Sequence, residues 1–320
     1  MPCVGALAPD PKAGQTAAMT QSLLYGHILA GLAEFNPDAL QVSPLVPGSS
    51  ALGSLEKGRY SALTMRAPAN TAERQHDIAR ALTALKPSSP FTILAPKDKG
   101  GSRLLKELAR FGVAAADNPK RHHRICTGVV PERLIGIDEA ISLGSMVLAP
   151  KTGLMGQAGL FSWDRIDTGA ALLVEVLPKL WGRVGDFGCG TGVLSLAVLK
   201  SVKVKSLIGF DIDRRAIEAC ALNIKDTRFG SVWTDLRANG AGVTGLDFIV
   251  TNPPFHDSGT EDQALGLAFI KAAAGALRGG GTLWLTANRH LPYEAVLDAL
   301  FKTVTVKAEA QGYKVFEAIK

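Results

Sequence analysis

From residue 184 to residue 301, short apolar runs alternate with stretches whose apolar residues recur at helical spacing, and no other feature restricts the possible fold as much. Strands are expected at 184–187, 206–210, 231–234, 246–250 and 282–286, with helices at 193–200, 213–224, 262–277 and 293–301. Asp213 reads as the N-cap of its helix, and Arg278-Gly279-Gly280-Gly281 as the glycine stop of the helix before it. Strands alternating with helices form an open, mainly parallel sheet covered on both faces, the doubly wound α/β class. The last two strands, 303–309 and 313–319, lie one short turn apart and predict an antiparallel hairpin on one edge.

The first half repeats part of this order. A strand at 59–64, a turn at Pro68, a helix at 71–85, a strand at 91–95, a Lys-Gly-Gly loop and a helix at 102–111 match the succession from 247 to 301. An internal duplication is expected, with a degenerate first copy that has lost the parts that bind a cofactor. The expected domains are 20–150 and 151–320, joined near 149–159, a stretch rich in Pro, Lys and Gly. A chain of 320 residues, 47% hydrophobic, has enough apolar material for two cores.

Residues 1–19 are rich in Ala, Pro and Gly, and are expected to be a disordered tail or an over-long start before Met19. Cys3, Cys126, Cys189 and Cys220 form no CxxC pair, so a reducing compartment is expected, with neither disulfides nor a metal site. No apolar run reaches the roughly 18 residues of a membrane span. These features together predict a cytoplasmic protein, a monomer or weak dimer, with no membrane contact. The net charge of +6 permits an acidic partner such as nucleic acid. Lys120-Arg121-His122-His123-Arg124 is the densest basic run; it reads either as a phosphate contact or as a solvated loop.

Asp186-Phe187-Gly188-Cys189-Gly190-Thr191-Gly192 follows a strand and opens a helix. Glycines there let the backbone turn tightly and approach a ligand. A nicotinamide fold wants G-x-G-x-x-G; here the spacing is G-x-G-x-G with an acid ahead of it. The pattern resembles motif I of class I S-adenosylmethionine (SAM) methyltransferases. The expected cofactor contacts are Asp186, Gly188, Cys189, Gly190 and Gly192, with Asn252 beside the SAM methyl. Asp211, at the end of the next strand, suits the two ribose hydroxyls, with Ile212 beside it. Asp235 stands where the methyltransferase pattern puts an acceptor for the adenine amine, or else is a loop carboxylate in water.

Leu246-Asp247-Phe248-Ile249-Val250 reads as a buried strand that stops in Asn252-Pro253-Pro254-Phe255. Two prolines can continue neither a helix nor a central strand. The motif resembles the [N/D]-P-P-[F/Y/W] of methyltransferases that modify an amino group on planar sp² carbon. Such a nitrogen is a poor nucleophile. The Asn252 side-chain oxygen and the Pro253 carbonyl would bind its two hydrogens and stabilise the growing positive charge. Phe255 would stack on the planar group. His256 either helps orient the base and accepts a proton, or is a turn residue.

Gly159-Leu160-Phe161-Ser162, Ile166-Asp167-Thr168-Gly169-Ala170-Ala171-Leu172-Leu173, N-P-P-F-H, Leu291-Pro292-Tyr293 and Gly312-Tyr313-Lys314-Val315-Phe316 together resemble the bacterial ribosomal RNA guanine-N2 methyltransferases, nearest to the small-subunit group. The likeness spans 157–320 and reaches more loosely to 96–112. It implies a seven-stranded class I catalytic domain behind a degenerate one. It also implies SAM as cofactor, ribosomal RNA or a ribosomal subunit as partner, Phe161 and Thr168 lining the SAM pocket, and Asn252 and Phe255 holding guanine. Trp163-Asp164-Arg165 departs from the family pattern. Protein glutamine-N5 methylation, small-molecule methylation and an RNA-binding protein with a vestigial pocket stand as the other readings.

Overall fold

The structure, a computed structural model, describes residues 21–254, 256–257, 260–261 and 263–320. Phe255 and the expected tail lie outside the described residues. The first sheet comprises β1 (Leu23–Tyr25), β2 (Leu40–Gln41), β3 (Leu63–Arg66), β4 (Pro90–Pro96), β5 (Ala115–Lys120) and β6 (His123–Val129), in the order β2-β1-β3-β4-β6-β5. Helices α1 (Thr71–Ala84) and α2 (Leu104–Arg110) cross between its strands. Next come α3 (Ile137–Leu143), the short paired strands β7 (Val147–Leu148) and β8 (Met155–Gly156), and α4 (Thr168–Val176).

The second sheet holds β9 (Gly182–Phe187), β10 (Val204–Asp211), β11 (Phe229–Trp233) and β12 (Leu246–Thr251). After the small pair β13 (His256–Asp257) and β14 (Thr260–Glu261) it adds β15 (Leu277–Asn288), β16 (Thr303–Ala310) and β17 (Tyr313–Ile319). Its order is β11-β10-β9-β12-β15-β17-β16, parallel throughout except at the β15-β17-β16 edge. Helices α5 (Val193–Leu199), α6 (Arg214–Asn223), α7 (Leu236–Asn239), α8 (Gln263–Ala276) and α9 (Glu294–Leu300) complete the fold. The central strands are apolar on both faces because helices cover both. Ile249 and Leu283 pack with Phe269 and Leu297 on one side, and Val250 and Trp284 with Leu173 and Val198 on the other.

The duplication extends to residue register. Strands β2-β1-β3-β4-β6-β5 match β10-β9-β12-β15-β17-β16 neighbour for neighbour, with the same parallel and antiparallel pairings. Tyr25 pairs with Met65 as Phe187 pairs with Thr251. The next residues, Gly26 and Gly188, have φ of +78° and +76°. Both antiparallel hairpins turn through two positive-φ residues, Arg121-His122 and Gln311-Gly312. The Lys97 amide donates to the His122 carbonyl at 2.8 Å, and the Arg289 amide to Gly312 at the same distance. In this register Ser43 stands at the place of Asp211 and Arg66 at that of Asn252. His27-Ile28-Leu29-Ala30 replaces the rest of the glycine loop.

Some expectations shift. The strand expected at 59–64 runs over Leu63–Arg66, and Tyr60 makes only an isolated bridge to Leu85. The segment 278–281 is not a helix stop: α8 ends at Ala276 and β15 begins at Leu277, with all three glycines inside the strand. A Cβ on Gly281 would lie 3.0 Å from the Leu246 and Arg278 carbonyl oxygens, a backbone approach that glycine allows. Segment 149–159 is pinned to α6 by Asn223, which exchanges hydrogen bonds with the Met155 amide (2.7 Å) and carbonyl (3.0 Å).

The two sheets meet at a buried charge cluster. Arg215 of α6 pairs with Asp213 and with Glu73 of α1, both at 2.7 Å, and Tyr25 hydrogen-bonds Asp77 beside them. Burial pushes Glu73 up to about 7 even against the Arg215 charge. Removing the one cation strands two buried carboxylates, so Arg215→Met is expected to cost about 3–5 kcal/mol in urea unfolding.

Candidate active site

Asp186, Asp211 and Asn252 lie at the carboxyl ends of neighbouring parallel strands, where ligands bind in doubly wound sheets, and Asp167 joins them from the start of α4. Asp186 on β9 is fully buried. Its Oδ2 accepts from the Ser195 hydroxyl at 2.6 Å, while Oδ1 is buried with no partner among the described residues. Burial pushes this carboxyl up to about 7, against the Ser195 hydrogen bond. Asp211 closes β10. Its two oxygens accept from the Gly190 amide (3.0 Å) and the Asp213 amide (2.9 Å), and burial lifts it to about 6.

The glycine loop is braced internally. The amides of Gly188 and Cys189 donate to the Phe210 carbonyl, and that of Gly192 to Cys189. With the Gly190 amide held by Asp211, the loop offers a fixed concave shape rather than a row of free donors. Gly192 caps α5 at φ +92°, and a Cβ there would meet the Ile224 side chain at 3.0 Å. A Cβ on Gly190 would meet nothing within 4 Å, so this glycine faces open cleft. Cys189 turns inward. The Cys220 thiol and burial hold its own thiol well above the ordinary value, and it packs as an apolar group.

Asn252 follows β12. The last strand residue, Thr251, ties its hydroxyl to the Phe187 carbonyl at 2.7 Å, which locks the end of β12 to the end of β9. The Asn252 amide nitrogen donates to Asp167 Oδ2 at 2.8 Å. Its Oδ1 is buried with no partner among the described residues. Pro253 is buried behind it.

The cleft is lined by Phe161, Asp167, Gly188, Gly190, Thr191 and Asn252, among others. Phe161 stands 59% exposed at its mouth. Thr168 is exposed on the first turn of α4 and does not line the cleft; the neighbouring Asp167 does. Asp235 caps α7, and both its oxygens accept from Arg237 at 2.9 Å, which holds its carboxyl below the usual range. The Ile212 carbonyl accepts from the Trp233 indole at 2.8 Å. The side chain of His256 is not described. Asp167, Ser195 and Thr251 are site residues that sequence reasoning did not assign; Asp167 carries the one readable signal, an Asp before an apolar helix. Among the described residues no group of three or more His, Cys, Asp or Glu could hold a metal, and no helix is long and apolar enough to cross a membrane.

A seven-stranded sheet with an antiparallel edge, an acid-led glycine loop at β9 and an Asn-Pro-Pro after β12 define a class I methyltransferase. The family model for the methyltransferase small domain matches residues 151–317. The chain is 33% identical to the ribosomal RNA small subunit methyltransferase C of Shewanella loihica over 239 residues, 72% of this chain and 69% of that one. It is 38% identical to the Shewanella halifaxensis protein of the same name over 164 residues, a match spanning 48% of that relative. The T. thermophilus 16S rRNA N2 G1207 methyltransferase, solved with AdoMet and guanosine, superposes over 94% of this chain and 88% of its own with a TM-score of 0.75. At 21% identity that likeness is one of fold. The chain belongs to the ribosomal RNA small subunit methyltransferase C family.

Proposed function

We propose that this chain transfers a methyl group from SAM to the exocyclic N2 amine of a guanine in small-subunit ribosomal RNA, a reaction that takes place in the cytoplasm. One observation carries the amine: the Asn252 Oδ1 is a buried acceptor without a partner among the described residues, at the strand end beside the glycine loop. A buried acceptor left unpaired costs about 1–3 kcal/mol, and a substrate N–H relieves that cost.

The residues present fit the cofactor. Asp186 Oδ1 is a second buried acceptor with no partner among the described residues, suited to a cationic ligand, and the open face of Gly190 leaves room for the ligand to approach. Asp186, Gly190 and Asp211 would hold SAM, with Phe161 at the mouth. Bound SAM supplies a methyl group made electrophilic by its sulfonium. The chain's own contribution is placement. Asn252 Oδ1 and the Pro253 carbonyl take the two amine hydrogens, align the nitrogen lone pair and stabilise its developing charge. No strong base is required, because the alkylated nitrogen is acidic and releases its proton to water.

RNA backbone would be held by the β5–β6 hairpin of the degenerate half. Lys97, Lys120, Arg121, His122, His123 and Arg124 surround a concavity there. Arg124 is partly neutralised by its ion pair with Asp117. Replacing Lys97 and Lys120 together by Ala is expected to raise KM for RNA and flatten its salt dependence. The slope should fall by about 0.7–0.9 per lost phosphate contact, with SAM affinity unchanged.

The test of function is methyl transfer from labelled SAM to ribosomal RNA and to subunits lacking the modification, with mass spectrometry of the digested nucleosides. N2-methylguanosine in small-subunit RNA is the expected product. Label found only in a release-factor glutamine, or in a small molecule, overturns the proposal.

A further inference from the structure

We infer that Asp167 is a positioning residue that sets the Asn252 amide with its oxygen toward the substrate. The inference rests on the proposed amine chemistry but can be tested apart from it.

A primary amide is nearly symmetric in shape, with an acceptor at one end and two donors at the other. Turned the wrong way, Asn252 would present N–H to a substrate amine, donor against donor. Among the described residues, the Asn252 side chain makes no other hydrogen bond that chooses between the two orientations. The choice is made 85 residues earlier in the chain, at the start of α4. Asp167 Oδ2 lies 2.8 Å from the Asn252 amide nitrogen, and a carboxylate only accepts. The nitrogen is therefore drawn to Asp167, and Oδ1 is left facing the cleft, buried and unpaired among the described residues. A charged acceptor makes a hydrogen bond about twice as strong as a neutral one. It also polarises the amide and makes its oxygen a better acceptor.

The carboxylate is itself held. The same Oδ2 accepts from the Ala170 amide at 3.1 Å, as the N-cap of α4. Gly169 lets the Tyr313 ring approach, since a Cβ there would lie 2.7 Å from it. Burial and the neighbouring Asp167 charge both raise the Tyr313 hydroxyl above its ordinary value, as a close ring would show. Asp167 thus has two roles, helix cap and amide orientation, and they can be separated.

Serine caps helices as well as aspartate does but is too short to span to Asn252. Asp167→Ser is expected to keep the thermal midpoint and the SAM dissociation constant while turnover falls about 10²-fold, the scale of losing one transition-state acceptor. Asp167→Asn keeps shape and cap, yet it offers both a donor and an acceptor and so permits either amide orientation. Its turnover should fall only about two- to tenfold. The readout independent of activity is the ¹⁵N-edited spectrum of the Asn252 side chain. In the unmodified protein one amide proton should be shifted downfield and slow to exchange, and Asp167→Ser should abolish this. Unchanged Asn252 resonances in Asp167→Ser overturn the inference, whatever the substrate. So does a turnover loss matched by equal losses of stability and SAM affinity, which would mark a cap alone. If the unmodified protein fails to methylate guanine while the spectrum behaves as expected, the proposed function fails and the positioning role stands.

Discussion

Asn252→Ala should lower turnover by about 10²-fold or more while leaving SAM affinity within about twofold. The substitution removes Oδ1, the buried acceptor at the cleft that has no partner among the described residues. It leaves Asp167 capping α4 through Ala170, and Thr251 still ties β12 to Phe187. The cofactor-side groups, Asp186 and Asp211, sit on other strands and keep their own hydrogen bonds. The loss should therefore appear in kcat, with single-turnover rates falling in parallel. Asn252→Asp is a sharper probe. It keeps an acceptor but puts a second carboxylate against Asp167, so one of the pair must hold a proton. Its residual activity should be greatest on the acid side and decline as the pH rises. A collapse of SAM binding in Asn252→Ala would place the residue on the cofactor instead of the amine.

The second half of the chain was legible because each of its central strands is a short apolar run closed by a residue that stands out. Asp186, Asp211 and Asn252 are polar residues at the ends of β9, β10 and β12, and all three converge on the glycine-loop end of the sheet. The first half was legible only where it shares that signal. Strand β1 is three residues long and β2 two, too short for any periodicity. Strand β5, Ala-Ala-Asp-Asn-Pro-Lys, has no apolar alternation because it is an exposed edge, where Pro119 is tolerated. The Lys120–Arg124 run is a hairpin tip rather than a loop, and its twin, Gln311-Gly312, shares no side-chain chemistry with it. Backbone conformation is what the two copies have kept.

Within the site, the chain order hid what depends on distant partners. Asp167 reads locally as a helix cap, which it is, and its bond to Asn252 has no local signature. Asp235, expected at the adenine, is committed to a local cap and a two-pronged pair with Arg237. Oδ1 already accepts twice, from the Arg237 amide and Nε, so only Oδ2 keeps a lone pair for a further donor. Thr168 carries the family pattern, but the helix turn that begins there directs the neighbouring aspartate into the cleft instead.

Asp211→Ala should weaken SAM binding by about 10²-fold or more, with the loss in affinity preceding any loss of turnover at saturating cofactor. The carboxylate does two jobs. It holds the Gly190 amide and the Asp213 amide, and so fixes the loop and the turn into α6. Its remaining lone pairs would be left for donors on a bound ligand. A hydrogen bond to a charged group contributes about 1.5–3 kcal/mol, so losing the ligand's bond and slackening the loop together exceed a hundredfold. The pH dependence follows from burial. Asp211 at about 6 and Asp186 at about 7 both lie above their ordinary value. Folding therefore favours their neutral forms. Their contribution to stability is complete at low pH, below the ordinary carboxylate range, and is lost as pH rises through 6 to 7. Ligand binding through these two carboxylates would need the ionised forms and would gain over the same window. Thermal melts with and without SAM at pH 5.5 and pH 8 should thus show a larger SAM-induced shift at pH 8, set against a more stable ligand-free protein at pH 5.5. In Asp211→Ala the part of both trends that belongs to Asp211 should vanish, and the part that belongs to Asp186 should move to lower pH, because the Asp211 charge no longer raises it. Trends that persist unchanged in that variant would assign the titration to another group.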